Sequence, residues 1–358
     1  MKSDMYEEIL KKQSKKNLKK RLEISIPIVK TYNNIAFPMS IICCRNINKD
    51  WFYSNFINIY SYYNSDINKL EVNYDVQFFE DEVYYLNREK ISIDTLDTLS
   101  STVIDKFIQL INREKYICIF LDEFYIEETI NYQKKHFDHE FMIYGYDSRE
   151  KKFDCLYYGD DFQYRFRKVS YDSISCGYMS EKLNRDLPMM VFSYYKDNEW
   201  YRPIYALDIE YIKYSIGRYL KGVNFLYGRR HINPLNSNII NRYGISVYKD
   251  LINYINKMKH ESGSINLICF YLFYEHKQCM AKRLYYLYEK GIDCYDLCMR
   301  YNYVSVQSRI VVNMLIKYNM KKEKGDKERE SYLKLIQDKI IKIIELEKEV
   351  LSDFLDKV

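Results

Sequence analysis

Two short apolar segments that flank a polar turn constrain the fold of this chain more than any other feature. They are residues 140–146 and 153–158, and the residues between them, 147–152, are all polar. Segments of this length around a polar turn predict an antiparallel β-hairpin. Because an isolated hairpin is only marginally stable in water, we expect further strands to pair with it.

The hairpin also predicts which residues face each other. If Tyr146 faces Phe153 across the turn, antiparallel pairing places His139 opposite Asp160, with Asp161 one residue further along. A carboxylate beside an imidazole can fix its tautomer and stabilise its protonated form, which is the role of the acid in a catalytic triad. His139 and Asp160 are therefore candidate catalytic residues.

The other segments of the first 200 residues predict an α+β fold. Asp50 is the expected N-cap of a buried helix at residues 51–60, where apolar positions recur with the helical period. Segments 24–29 and 35–43 each contain a proline, which predicts strands near a sheet edge. The remaining predicted elements are a helix at 98–111 and strands at 116–121 and 188–194.

Beyond residue 200 the apolar residues follow the helical period almost throughout. The predicted helices are 207–220, 246–258, 265–291, 293–318 and 327–354. We therefore predict a polar N-terminal segment at 1–22, an α+β domain at 23–200 and a helical domain at 201–358. The apolar stripe of the last helix predicts packing against its own domain, and the oligomeric state stays open; the stripe consists of Leu333, Ile336, Ile340, Ile343, Val350 and Phe354.

Composition excludes several classes of protein. Hydrophobic residues make up 47% of the chain and charged residues 29%, which is typical of a folded protein. The net charge of +5 is too small and too dispersed to favour a nucleic-acid partner. No apolar run approaches the roughly 20 residues that a membrane span requires, so no membrane partner is expected. The nine cysteines form no CxxC pair and no signal peptide precedes them, which favours a reducing cytoplasm.

Two histidines, His136 and His139, could suggest a metal site. Three residues apart on a strand they point to opposite faces, and no third ligand follows at a recognisable spacing. We therefore expect neither a metal nor another cofactor.

The segment at residues 136–147 resembles the histidine motif of the butirosin biosynthesis protein H N-terminal family. Residues 120–125 before it and 153–160 after it share that resemblance. Members of this family have papain-like folds, and active members use Cys-His-Asp or Cys-His-Asn to move an acyl group from a carrier-protein thioester onto an amine. A mostly helical C-terminal domain is common among them.

The resemblance implies a role for several residues and for a partner. His139 corresponds to the base and Asp160 to the acid that orients it, while Trp51, Asp161 and Tyr144 are expected to contact the substrate. The N-terminal domain would be papain-like with an antiparallel sheet. The expected partner is an acyl carrier protein, or an acyl or peptidyl substrate bound to one.

The nucleophile departs from the family pattern. Papain-like folds place the cysteine at the start of the buried helix, where the helix N-terminus lowers the pKa of the thiol. The helix predicted at 51–60 starts with Trp51 and contains no cysteine. Cys43 and Cys44 precede it closely enough to be candidates, and Ser54 offers a hydroxyl group. Cys176 is a weaker candidate.

Two main hypotheses follow from these residues. In the first, the chain is a cysteine-protease-like acyltransferase or amide-forming enzyme of a peptide or specialised-metabolite pathway, with His139 as general base. In the second, it is a non-catalytic member of the same fold that binds an intermediate, a carrier protein or a product, with Trp51 in the place of the nucleophile. A peptide hydrolase is a third, less favoured reading. His139 could also act as a general base without any protein nucleophile.

Overall fold

The computed structural model describes residues 18–44, 49–64, 67–75, 86–98, 101–159, 164–194, 206–223, 239–259, 264–320 and 326–358. The chain divides into two compact units, each built from separate segments. The first unit comprises Met1–Pro27, Ala36–Arg45 and Val83–Asn198, and the second comprises Ile28–Ile35, Asn46–Glu82 and Glu199–Val358. The chain passes from the first unit to the second for the last time at residue 198, close to the boundary predicted at 200. The contiguous domain predicted at 23–200 does not account for the segments 28–35 and 46–82, which belong to the second unit.

The strands and helices are mixed in the first unit, and helices predominate in the second. The strands are β1 Lys19–Arg21, β2 Ile59–Asn64, β3 Lys69–Tyr74, β4 Leu86–Ile91, β5 Lys115–Asp122, β6 Asp138–Asp147, β7 Lys152–Tyr158, β8 Tyr164–Ser170, β9 Met189–Tyr194 and β10 Ile239–Tyr243.

The described helices account for most of the remaining residues. They are α1 Asn33–Cys43, α2 Lys49–Ser54, α3 Ile93–Asp97, α4 Val103–Asn112, α5 Tyr171–Met179, α6 Ile209–Lys221, α7 Val247–Met258, α8 Ile268–Glu289, α9 Tyr295–Met320 and α10 Asp326–Lys357, with 3-10 turns at Glu123–Tyr125 and Gly244–Ser246. None of these helices combines the length and the apolar character that crossing a membrane requires.

The first unit contains a seven-stranded antiparallel sheet in the order β4-β9-β5-β6-β7-β8, and β1 pairs with the far end of β6. Helices pack on both faces. Phe107 of α4 contacts Phe153 on one face, and Phe37 of α1 contacts Tyr164 on the other. The hairpin and the strands predicted at 116–121 and 188–194 are confirmed. The unit is therefore mixed α/β around an antiparallel sheet, as the sequence predicted.

The strand predicted at 35–43 is wrong, because these residues form helix α1. Every apolar residue of this helix from Ile35 to Ile42 is buried, so the sequence shows a continuous apolar run without helical periodicity. Such a run does not distinguish a buried helix from a buried strand. Pro38 lies inside the helix. The strand predicted at 24–29 is also absent, and these described residues belong to no helix or strand.

The helix predicted at 51–60 is too long. It runs from Lys49 to Ser54, and Phe56 then adopts a left-handed backbone conformation with φ of 55°. The chain continues as strand β2, in which buried and half-buried residues alternate. Tyrosine is so abundant in this chain, with 40 copies, that aromatic positions fit both the helical and the strand period.

The second unit contains a three-stranded antiparallel sheet, β10-β2-β3, the short helix α2 and the helices predicted beyond residue 200. Gly222 ends α6 in the left-handed conformation, with φ of 62°. The predicted apolar stripe of α10 is buried in full. The last helix thus packs within its own unit, as its sequence predicted.

A fully buried ion pair joins α8 to α10 in the second unit. The Lys277 ammonium lies 2.6 Å from a Glu347 carboxylate oxygen, and both side chains have no solvent exposure. The hydroxyl groups of Tyr219, Tyr248 and Tyr301 donate to the same carboxylate at 3.2, 3.0 and 2.5 Å. Burial lowers the pKa of Lys277 to about 8, and the Glu347 carboxylate opposes that shift. The pair is therefore tolerated because many donors surround the carboxylate.

We expect Glu347→Gln to destabilise the protein by about 3–5 kcal/mol, because it leaves the Lys277 charge buried without a counter-charge. Urea denaturation followed by circular dichroism measures this loss. The matched control is Glu210→Gln, which removes one member of the exposed Lys213–Glu210 pair and should cost under about 0.5 kcal/mol. Equal stability of Glu347→Gln and the wild type would contradict the account of this cluster.

Candidate functional site

His139 lies at the start of strand β6, where its ring contacts a buried glutamate. It faces Leu121 across the β5–β6 ladder, and Glu123 follows Leu121 by two residues. The His139 Nδ1 atom lies 2.6 Å from Glu123 Oε1, and the side-chain amide of Asn131 donates to Glu123 Oε2 at 2.6 Å. The Glu123 side chain is 5% exposed. Both oxygens of this buried carboxylate are therefore compensated by hydrogen bonds.

The contact with Glu123 assigns the role of each nitrogen of the His139 ring. Because a carboxylate accepts, Nδ1 carries the proton in the neutral ring and Nε2 carries the lone pair. The side chain is 22% exposed, so a molecule from solvent can approach it. A partly exposed imidazole that is oriented through Nδ1, with its lone pair on Nε2, is suited to act as a general base.

A second pair of the same kind lies nearby, because His136 precedes His139 by three residues and Asp122 precedes Glu123 by one. His136 Nδ1 lies 2.6 Å from Asp122 Oδ2, and the Ser180 hydroxyl donates to that oxygen at 2.6 Å. The backbone N–H groups of Phe124 and Phe137 donate to the other oxygen. Burial alone raises the pKa of Asp122, but the hydrogen bonds from Ser180, His136 and the backbone outweigh it, and the net pKa is lowered. Asp122 is therefore an ionised carboxylate at neutral pH.

The two pairs leave the β5–β6 ribbon on opposite faces. His139 and its cross-strand partner Leu121 point to one face, while Asp122 and its partner Asp138 point to the other. His136 binds Asp122 and so belongs to the second face. This geometry does not favour one metal ion bound by both rings. Within the described ranges, no three histidine, cysteine, aspartate or glutamate side chains form a cluster suited to a metal.

The β6–β7 register, from which Asp160 was predicted as the acid beside His139, changes along the hairpin. Tyr146 does face Phe153, but a bulge between Ile143 and Gly145 shifts the pairing by one residue. The register that placed Asp160 opposite His139 therefore does not extend that far. Asp160 and Asp161 themselves lie outside the described residues.

Glu123 could have been found from the sequence through the other neighbour of β6. Strand β5 precedes β6 and pairs with it antiparallel, so the end of β5 lies beside the start of β6. Residues 122 and 123, an aspartate and a glutamate, stand at that end. An acid that follows one predicted strand is thus the signal for a partner of the histidine that opens the next strand.

Cys43 is placed unfavourably for a nucleophile. It is the last residue of α1, so it lies at the carbonyl end of the helix, where the helix dipole disfavours a thiolate. Burial raises the pKa of the Cys43 thiol to about 12, with a further contribution from the neighbouring Cys44. This is the opposite of the environment that activates the cysteine of a papain-like fold.

Cys44 is separated from His139 both along the strands and by the face of the sheet. Its thiol donates to the Glu23 carbonyl at 3.4 Å, and the Tyr116 hydroxyl donates to that same carbonyl at 2.8 Å. Tyr116 stands near the start of β5, roughly 16 Å along the strand from Leu121, the partner of His139. The side chains of Tyr116 and Leu121 also point to opposite faces. The assignment of Cys43 or Cys44 as the nucleophile for His139 is therefore wrong.

Of the remaining cysteines of the first unit, two are buried in the sheet and one is exposed on a helix. Cys155 shares the face of His139, but it is fully buried, and burial raises its pKa well above the usual range. Cys118 is buried in β5 with a similarly raised pKa. Cys176 is exposed on α5, next to Gly177, which packs against the backbone of Asp122.

Two of the residues expected to bind substrate are part of the core. Tyr144 is buried in the sheet, and its hydroxyl accepts a hydrogen bond from Arg21 at 2.7 Å. Trp51 is buried in α2, packs edge-on against Phe56, and belongs to the second unit. Ser54, the alternative nucleophile, donates to the Asp50 carbonyl at 2.8 Å. Each of these side chains has a structural role.

Comparison of the sequence with known proteins found no matching family model and no match among curated proteins.

The first prediction for this site concerns the His139 tautomer. Long-range proton–nitrogen NMR spectra of the neutral ring should show the proton on Nδ1, because Glu123 Oε1 accepts from it. Glu123→Leu should abolish this preference. Asp122→Asn is the matched control and should change the signals of His136 while those of His139 stay as they are. A proton on Nε2 of His139 in the wild type would contradict the assigned role.

The second prediction concerns the thiols. Iodoacetamide at pH 8 should modify the exposed Cys176 first. With its pKa raised to about 12, Cys43 holds only about one thiolate in 10,000 molecules at that pH, so it should react only after unfolding. Peptide mass mapping over time gives both rates. Labelling of Cys43 as fast as Cys176 would mean that the thiol is activated after all.

Proposed function

We propose that this protein is a papain-like acyltransferase in which His139, oriented by Glu123, acts as a general base without a protein thiol. The acyl group would come from a carrier-protein thioester, and the acceptor would be an amine of a peptide or specialised-metabolite pathway. The observation that carries the proposal is the 2.6 Å contact between His139 Nδ1 and a buried carboxylate. It leaves the lone pair of the neutral ring on Nε2, in a side chain that is 22% exposed.

The position of the thiols favours direct transfer over an acyl-enzyme. Cys43 and Cys44 sit at the far end of the sheet from His139, and Cys155 and Cys118 are buried. A thiol nucleophile must lie within hydrogen-bond reach of its base. Direct attack on the thioester by the bound amine requires only the base and a means of holding the two substrates together.

The reaction balances with His139 as the single proton carrier. The amine nitrogen attacks the thioester carbonyl carbon, and Nε2 takes one proton from that nitrogen. The carbon–sulfur bond then breaks, the amide forms, and the carrier thiolate leaves. The imidazolium returns its proton to the thiolate, so the ring ends neutral. Glu123 stabilises the imidazolium during this cycle, and Asn131 holds Glu123 in place.

Several wider features fit this proposal. A histidine at the start of a strand in an antiparallel sheet, with helices on both faces, is compatible with a papain-like first unit. None of the nine cysteines forms a disulfide, which suits the cytoplasm proposed for this pathway.

A second candidate function is binding without turnover. The observation that favours it is the separation of Cys44 from His139, since a member of such a fold that has lost its nucleophile can keep its base as a ligand contact. In that case a carrier-bound intermediate or product would bind at His139 and remain unchanged.

Turnover of an acyl thioester on a carrier protein, with a primary amine as acceptor, distinguishes these functions. We expect amide formation by the wild type and a loss of about 10²–10⁴-fold in His139→Asn, because the base is removed. Glu123→Leu should lose about tenfold or more, because the ring is no longer oriented. Chromatography with mass detection measures the amide.

The matched control is a variant with Cys43, Cys44 and Cys176 all replaced by serine, which should keep the wild-type rate. A large loss of activity in that variant would show that a thiol takes part and would overturn direct transfer. Tight binding of the acyl carrier with no amide formed would support the binding function instead.

A further inference from the structure

One face of helix α9 carries large apolar side chains that remain exposed. Tyr303 and Met299 keep 57% and 56% of their surface in solvent, and Tyr295, Val306 and Ile310 are exposed as well. These five residues recur at spacings of four, four, three and four, so they form one stripe along the helix. A protein that works as a monomer rarely leaves a row of such residues in water.

The stripe is additional to the face that holds α9 in its unit. That inner face is formed by Leu297, Tyr301, Val304, Ser308, Val311 and Leu315, all of them buried. From Met299 to Ile310 the outer residues follow the four-three-four spacing of a coiled-coil seam, in which side chains of one helix insert between those of another. We propose that α9 pairs with α9 of a second copy of this chain, in antiparallel orientation.

The stripe is self-complementary about its middle. In a two-fold pair centred between Tyr303 and Val306, Tyr303 faces Val306 of the second copy and Met299 faces Ile310 of the second copy. Each large side chain is thus opposite a smaller or more compact one, which lets the two rows interlock. Each copy thus uses the same surface to bind the other, as a two-fold interface requires.

Charge complementarity selects the antiparallel orientation. Asp293 and Asp296 lie near one end of α9, and Lys317 lies near the other. The ammonium group of Lys357 lies 3.6 Å from a carboxylate oxygen of Asp293 and 3.0 Å from one of Asp296, so the two aspartates share one lysine. Antiparallel pairing brings Lys317 of one copy beside the two aspartates of the other. Parallel pairing would place like charges together at both ends, which is unfavourable.

The area of the patch is sufficient for a dimer. On α8, Tyr285 and Tyr288 are exposed, and the Tyr288 ring lies 5.2 Å from that of Tyr295. In the antiparallel pair this end meets Met320 of the second copy, which is 80% exposed. The half-exposed apolar side chains offer roughly 600 Å² per copy. Polar neighbours bring this near the roughly 800 Å² per partner of a standard interface.

Analytical ultracentrifugation of the full chain tests the proposal. The wild type should dimerise at tens of micromolar, and Val306→Asp should raise the dissociation constant at least about 30-fold, because two carboxylates would be buried beside the two-fold axis. Tyr214→Asp is the matched control: Tyr214 is 59% exposed on α6, outside the stripe, and its variant should dimerise like the wild type. A wild type that is monomeric at every concentration, or a Val306→Asp variant that dimerises normally, overturns the proposal.

Oxidative cross-linking tests the orientation in a Cys176→Ser background. A mixture of Met299→Cys and Ile310→Cys chains should form a disulfide between the two variants, because these positions face each other in the antiparallel pair. Met299→Cys alone should not cross-link, since its two copies lie about 16 Å apart at 1.5 Å rise per residue. Efficient cross-linking of Met299→Cys alone would overturn the antiparallel pairing.

Discussion

The pairing of β5 with β6 determines where every group of the candidate site lies. Its register sets His139 opposite Leu121, and so brings Glu123 to His139 and Asp122 to His136. The alternation of side chains across the ribbon then assigns the two pairs to opposite faces. A slip of one residue in this register would exchange the faces and break both hydrogen bonds. The chemistry proposed for His139 depends on this pairing more than on any single side chain.

The sequence predicted the elements whose patterns are unambiguous. The hairpin has two apolar segments around a polar turn, the long helices after residue 200 have a clear period, and the buried stripe of α10 follows from spacing alone. The elements of the first 64 residues are harder to predict from the sequence. Helix α1 is apolar on all sides and contains Pro38, so its sequence resembles a buried strand. In β2, tyrosines occupy both buried and half-buried positions and hide the period of two.

The site was predicted in part, and the errors have a physical cause. His139 was identified from its place at the start of a strand. Its acid was sought on the following strand, where a bulge at Tyr144 displaces the register. Among the described residues, the carboxylate that contacts His139 is Glu123, which follows the preceding strand. The prediction of Cys43 and Cys44 as nucleophiles rests on a strand at 35–43. Once those residues form a helix, both thiols lie at its carbonyl end.

The central claim is that an oriented His139 promotes acyl transfer without an acyl-enzyme, and the mass of the intact protein during turnover tests it most directly. Samples quenched while a carrier-bound acyl thioester reacts with an amine should show the protein at its unmodified mass, although amide accumulates. Protein that gains the mass of the acyl group, on any cysteine and at a rate that matches turnover, would contradict the account.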